Sequence, residues 1–191
     1  MLRKITFDIE TTSASPGRID PSDMELALVG IHDSATDSYD SFTQEELPRL
    51  WSILERADVL IGYNSDHFDI PILNKYYTGD LTKLKSVDLL AEIRASLGRR
   101  LKLDSVAEAT LGKKKTGSGL DAIEWWKRGE IEKVRKYCLH DVKITKEIYD
   151  FARANGFVQY MDFKKKKKIP LDTAHWETVE GAAPLNHTLP F

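Results

Sequence analysis

Arg3-Lys4-Ile5-Thr6-Phe7-Asp8-Ile9-Glu10 alternates residue by residue, with Ile5, Phe7 and Ile9 on one side and Thr6, Asp8 and Glu10 on the other. A period of two marks a β-strand, whose successive side chains leave opposite faces. Asp8 and Glu10 therefore share a face, and in a central strand that face would otherwise belong to the core. Two carboxylates held side by side repel, which raises the pKa of one unless a cation lies between them. A divalent ion with a taste for hard oxygen ligands, Mg²⁺ or Mn²⁺, would remove the conflict. A solvent-facing acidic pair on an edge strand is the competing reading of the same residues.

Outward from this strand, residues 13–25 are rich in Ser, Pro, Gly and Asp and read as a loop. Leu26 to His32 and Ser38 to Phe42 read as strands joined by the polar Asp33–Asp37 stretch, a hairpin. Thr43 with Glu46 is a capping-box pattern that opens a helix through Arg56. Val59 to Tyr63 is a short apolar strand, after which Ser65 or Asp66 can cap a helix carrying Ile70 and Leu73. Helical patterns follow over Leu89–Leu97, Leu103–Leu111, Leu120–Arg128 and Ile131–Ala154, punctuated by Gly98, the 112–119 loop and Gly129, with Asn155-Gly156 as the last stop. Residues 157–163 and 169–176 look strand-like around the lysine run 164–168, which reads as a solvated hairpin tip, with contact to nucleic acid as the lesser alternative. The expected class is α/β, a central mixed sheet flanked by helices with a C-terminal hairpin. One main domain over 1–156 and a hairpin-and-tail extension over 157–191 are expected, the last fifteen residues forming a partly ordered tail.

The chain has 191 residues, 41% hydrophobic and 30% charged, the composition of an ordinary globular domain. No run approaches the ~20 apolar residues of a membrane span, and the N-terminus reads as lacking a signal peptide. The single cysteine, Cys138, excludes an internal disulfide and a Cys-rich zinc site. A cytoplasmic location fits. The net charge of −2 argues against gripping nucleic acid by bulk charge, leaving room for local basic patches.

Two further stretches hold acids where chemistry is expected. In Gly62-Tyr63-Asn64-Ser65-Asp66-His67-Phe68-Asp69 a strand ends and a helix begins, the junction at which open α/β sheets place their sites. Asp69 could instead only complement the helix dipole. In the last helix, Tyr137 and Asp141 stand four apart, hence on one face, in line with the apolar Val134 and Ile144. A buried hydroxyl beside a buried carboxylate needs a partner or an ion, although a structural Tyr–Asp contact would also serve. His140 falls on another face and reads as exposed.

Together, Phe7-Asp8-Ile9-Glu10-Thr11-Thr12, the 62–69 stretch and Tyr137-Cys138-Leu139-His140-Asp141 closely resemble the three exonuclease motifs of the DEDD superfamily, which has the ribonuclease H-like fold. Tyr137, with Lys136 where the histidine branch would carry its His, makes the chain similar to the tyrosine branch. That branch holds the proofreading domains of family B DNA polymerases and small stand-alone exonucleases. The Leu103–Ala107 and Trp125–Glu130 segments also look familiar for this group.

The resemblance implies Asp8, Glu10, Asp69 and Asp141 as ligands of two Mg²⁺ or Mn²⁺ ions, and Tyr137 as the residue that positions the attacking water. It implies contacts to the 3′-terminal nucleotide from the backbone near Thr11 and Thr12, from Asn64, and from Phe68 by stacking. Core packing beside Ile70 and Leu73 is the lesser reading of Phe68. Lys113, Lys114 and Lys115, on a Gly-flanked loop in a locally basic region, are expected to meet the strand's backbone. Of Trp125 and Trp126, one is expected in the core and the other partly exposed. The expected activity is 3′→5′ hydrolysis of single-stranded ends, with DNA slightly favoured and a replication or repair protein as a candidate partner. The alternatives are an exoribonuclease that trims RNA and a non-catalytic nucleic-acid-binding module. An acid–base glycosidase would leave Asp69, Asp141 and Tyr137 idle.

Overall fold

In the computed structural model, which describes residues 1–13, 20–113 and 118–178, the alternating N-terminal segment is the middle strand of the sheet. That strand, β1 (Lys4–Thr11), pairs antiparallel with β2 (Leu26–Asp33), which pairs antiparallel with β3 (Ser38–Thr43). On its other edge β1 runs parallel to β4 (Val59–Gly62), and β4 to β5 (Lys85–Asp88), giving a mixed sheet in the order β3-β2-β1-β4-β5. Period two then sorts the core into two layers. Ile5, Phe7, Ile9, Val29, Ile31 and Leu60 pack on one face with α1 (Leu47–Leu54) and α2 (Asp69–Leu73). Val59, Ile61 and Val87 face the other way, towards α3 (Leu89–Leu97), α4 (Leu103–Leu111) and the long α6 (Ile131–Asn155). A fifth helix, α5 (Gly119–Lys127), precedes α6. Thr6, Asp8 and Glu10 therefore lie on the α6 side of the sheet.

Helix ends follow their chemistry: Gly98, Gly112 and Gly156 close α3, α4 and α6 in the left-handed conformation that costs Gly least. The expected first helix opens instead as a 3₁₀ turn (Gln44–Glu46), with Glu46 accepting from the Thr43 N–H at 2.9 Å. Neither Ser65 nor Asp66 caps α2; Asp66 accepts from the Ser86 hydroxyl at 2.5 Å, and α2 begins after Phe68 with no side-chain cap.

The C-terminal hairpin is present as β6 (Phe157–Asp162) and β7 (Lys165–Pro170), but its lysines are not the tip. Only Phe163 and Lys164 form the turn, and Lys165–Lys168 run along β7, each opposite a β6 residue. Nor does the second strand reach residue 176: it stops at Pro170, Leu171 N–H turns back to the Gly156 carbonyl (2.9 Å), and residues 174–177 form a turn. That turn is well anchored, with Trp176 fully buried and stacked on Tyr149 and Glu177 pairing with Lys4 and Arg153. Residues 179–191 of the expected tail lie outside the described residues. Among the described residues, no helix is long and apolar enough to cross a membrane.

Candidate active site

β1 and β4 are paired only from Lys4 to Thr6, so beyond Thr6 the β4-side edge of β1 is open to other partners. Asp69, in the first turn of α2, occupies that place: its Oδ1 accepts from the Ile9 N–H at 3.2 Å, and only 4% of the residue is exposed. The chain reaches it through a turn that needs Gly62, where a Cβ would come within 2.4 Å of the Ser65 side chain. The turn also holds Asn64 at φ 67°, a conformation Asn tolerates better than most residues. Asp88, at the end of β5, fixes this turn. Its Oδ1 accepts from the N–H groups of Asn64 (2.7 Å) and Leu90 (2.9 Å), and its Oδ2 accepts from that of Asp66 (3.3 Å). One carboxylate thus caps α3 and ties it to the Asn64 loop.

The third contribution comes from α6, whose buried face presents Tyr137, Cys138 and Asp141. Gly30 of β2, paired with Asp8, lets the helix settle this close, since a Cβ there would lie 2.8 Å from Cys138 Sγ. Cys138 donates to the Asp8 carbonyl at 3.4 Å and lies 3.7 Å from Asp8 Oδ2. Ligand atoms of Asp8, Glu10 and Cys138 all fall within 4.8 Å of one another. Trp125 of α5 sets its ring edge-on to Tyr137 at 6.0 Å. Asp8, Glu10 and Asp141 thus surround Tyr137 where α6 crosses β1, and Asp69 reaches the same strand from α2 through the Ile9 N–H.

The electrostatics are those of crowded acids. Burial, then the charge of Asp88, holds the Asp69 carboxyl well above the ordinary carboxylate range. Burial, then Asp141, Glu10 and Asp8, drives the Tyr137 hydroxyl far above its usual value, so it keeps its proton. Burial and the same three carboxylates raise Cys138, which stays a neutral thiol and is no ligand for a hard cation. Asp8 and Glu10 side by side, with Asp141 across from them beside Tyr137 and Asp69 on the edge of the same strand, offer the oxygen donors that Mg²⁺ or Mn²⁺ prefers, and bound cations would relieve repulsion among them. The residues fit such ions.

The expected substrate contacts divide. A cleft of about 490 Å³ is lined in part by Tyr63, Asn64, Arg100, Lys102 and Asp104, the last of which also acts on Tyr137, and there Arg100 donates to Asn64 Oδ1. Phe68 is half-buried with one side against the core. The Thr11 hydroxyl donates to the Ser13 carbonyl (3.1 Å), and the Thr12 N–H is taken by the Glu25 carbonyl (2.9 Å). The Lys113 ammonium pairs with Glu147 (2.7 Å to Oε1). Lys114 and Lys115 lie outside the described residues. Trp125 and Trp126 are both half-buried, and His140 is half-buried rather than exposed. Sequence reasoning missed Asp88, Cys138 and the Trp125 contact. A carboxylate between the short strand and the Leu89-Leu90 helix start could have pointed to Asp88 as a cap; the other two depend on tertiary placement.

Residues 5–153 match the family RNase_H_2 of the RNase H superfamily. The fold is similar to that of the family B DNA polymerase from the hyperthermophilic archaeon Pyrobaculum calidifontis, with a TM-score of 0.63 and 22% identity over 80% of this chain. The match spans 25% of that polymerase's length. No curated protein sequence matches the chain.

Proposed function

The chain belongs to the RNase H superfamily, and from that premise we propose that it is a metal-dependent 3′→5′ exonuclease of the tyrosine branch, hydrolysing phosphodiesters at single-stranded 3′ ends with DNA slightly favoured. Superfamily members are generally hydrolytic nucleases that use divalent metals. The observation that carries the finer reading is the surround of Tyr137: a buried, protonated hydroxyl whose neighbours include Asp141, Glu10 and Asp8, at the sheet end where Asp69 holds the Ile9 N–H.

Asp8, Glu10, Asp69 and Asp141 would hold two Mg²⁺ or Mn²⁺ ions. When bound, these ions would acidify the attacking water and neutralise charge on the scissile phosphate. The protein's own groups do the rest. Asp69, on α2 and tied to β1 by the Ile9 N–H, and Asp141, on α6, would set the spacing between the metal-holding carboxylates. Tyr137 Oη retains its proton at neutral pH and so orients water by hydrogen bonding rather than by accepting a proton. The Asn64 side chain, steadied by Arg100, and the open side of Phe68 would receive the terminal nucleotide.

The test is a time course on single strands labelled at one end or the other, as DNA and as RNA, with Mg²⁺, Mn²⁺ or EDTA. A 5′-labelled strand should shorten stepwise, a 3′-labelled one should release its label in the first step, and EDTA should stop both. Release from the 5′ end, or hydrolysis undiminished by EDTA, would overturn the proposal. Faster loss of RNA would transfer the same chemistry to an exoribonuclease.

A further inference from the structure

The lysine run is not absorbed by the chemistry above, yet it is the most concentrated charge in a chain of net charge −2. Lys165–Lys168 form most of β7, all exposed, and Lys164 stands in the turn. The ribbon that carries them is firmly held. Thr110 of α4 bonds both polar backbone groups of Gln159 (2.9 and 3.2 Å), and Ser96 of α3 donates to the Pro170 carbonyl at 2.7 Å. Strand alternation gives Lys166 and Lys168 to one face, together with Met161, while Lys167 shares the other with Tyr160 and pairs with Asp162. At the tip, Phe163 is 98% exposed and sits at φ 53°. Hairpin turns usually give such a position to Gly or Asn. A bulky aromatic there is strained and solvated at once, and an outlier of this kind points to use.

The ribbon is also continuous with the cleft. Between α3 and α4, Arg100 reaches the cleft at Asn64, while the adjacent Arg99 lays its guanidinium 5.2 Å over the Tyr160 ring of β6. Lys102 lines the cleft as well. Residues 99–102 therefore join the cleft to the Tyr160–Lys167 face of the hairpin, while Lys166 and Lys168 stand on its opposite face.

We propose that the β6–β7 hairpin is a second nucleic-acid contact surface, gripping the strand several nucleotides upstream of the 3′ end through Lys166 and Lys168 on phosphates and Phe163 stacked on a base. Charge complementarity selects this partner, and the single protruding aromatic suits a splayed base better than a broad apolar interface. The inference takes its partner from the proposed function, but it needs no hydrolysis.

Binding of the full chain to single-stranded DNA of about 20 and about 4 nucleotides, lengths that do and do not extend past one small binding site, is therefore measured in EDTA. Lys166→Gln/Lys168→Gln should weaken the long strand far more than the short one. It should also lower the salt slope of long-strand binding by about 1.4, from ~0.7 per single-strand phosphate contact. Arg56→Gln/Lys83→Gln, an equal charge loss at exposed positions near the opposite ends of β4 and β5, should leave the long-to-short ratio in place. Phe163→Gly should raise the melting temperature by relieving the turn, yet weaken the long strand about tenfold. Equal weakening of both lengths, unchanged long-strand affinity in the hairpin variants, or loss of acidic-vesicle binding alone would overturn the proposal. Length-dependent binding in EDTA together with no hydrolysis in Mg²⁺ or Mn²⁺ would keep this surface and sink the exonuclease reading.

Discussion

The proton on Tyr137 Oη is held by burial and by neighbouring negative charge, chiefly that of Asp141 and then Glu10 and Asp8. Such a hydroxyl contributes no titration limb near neutrality, so its service has to be geometric. Tyr137→Phe should lower kcat by about 10²-fold, the scale of a misplaced reactant, while the pH–rate profile keeps its shape and Mg²⁺ still raises the melting temperature. A profile that loses its basic limb in the variant would mean that the tyrosine titrates in catalysis. Asp8 and Glu10 could be read from the sequence because a period of two cannot put them anywhere but on one face, and Tyr137 with Asp141 because i and i+4 share a helix face. Asp88 and Cys138 could not be read with the same force. An aspartate before Leu89-Leu90 looks like any helix cap, and nothing local says that its other oxygen will hold the Asp66 N–H. Cys138 looks like a small buried residue until β2 places Gly30 beneath it.

α6 carries two of the five proposed active-site residues, and its height above the sheet is set where it crosses β2. A Cβ at Gly30 would meet Cys138 Sγ at 2.8 Å and the Leu139 and Val142 side chains at 3.2 Å. Gly30→Ala should therefore cost about 1–3 kcal/mol in stability, the usual range for overpacking, and lower kcat by moving Asp141 away from Asp8. Gly30→Ala/Cys138→Ala, which removes the nearest atom, should recover most of both losses, as read by melting and by turnover. Failure of the second change to help would place the strain elsewhere. At the other end of the same helix–sheet contact, Arg135 bonds Glu46 at 3.0 Å. The Thr43 N–H, then Arg135, depress the Glu46 carboxyl to about 2. A depressed acid stabilises the fold above its unfolded pKa and loses that effect as pH falls through its folded one. Glu46→Gln should thus cost about 1 kcal/mol at neutral pH, the scale of a lost cap, and the gap to the parent should close as urea midpoints are followed from pH 5 down to about 2. Long elements were legible because Gly98, Gly112 and Gly156 mark their ends. The four-residue β5, Lys-Ser-Val-Asp, was not, since so short and polar a strand owes its existence to pairing with β4. β7 was not legible either, because consecutive lysines give no alternation of burial to read.

Across the whole molecule, the sheet concentrates unfavourable charge at one end and offsets it with ordinary packing everywhere else. Two apolar layers sandwich β1, and the C-terminal turn closes the far side of α6 with Trp176 and Glu177. This division predicts opposite responses from stability and activity. Without metal, Asp8, Glu10 and Asp141 crowd one another around Tyr137 and Cys138, so removing one charge should stabilise the chain. With metal, the same change removes a ligand. Asp8→Asn should raise the metal-free melting temperature by about 2–4 °C, the shift that ~1 kcal/mol makes in a chain of this size. It should also abolish turnover and the concentration-dependent rise in melting temperature that Mg²⁺ gives the parent protein. The decisive quantity is the crossing: with EDTA the variant melts above the parent, and at saturating Mg²⁺ below it. A variant that melts lower under both conditions would make Asp8 a structural residue, and the carboxylates would then be a local hydrogen-bond network rather than a cation site. Such a crossing is the expected signature of a fold that keeps strain at its site because the bound state relieves it.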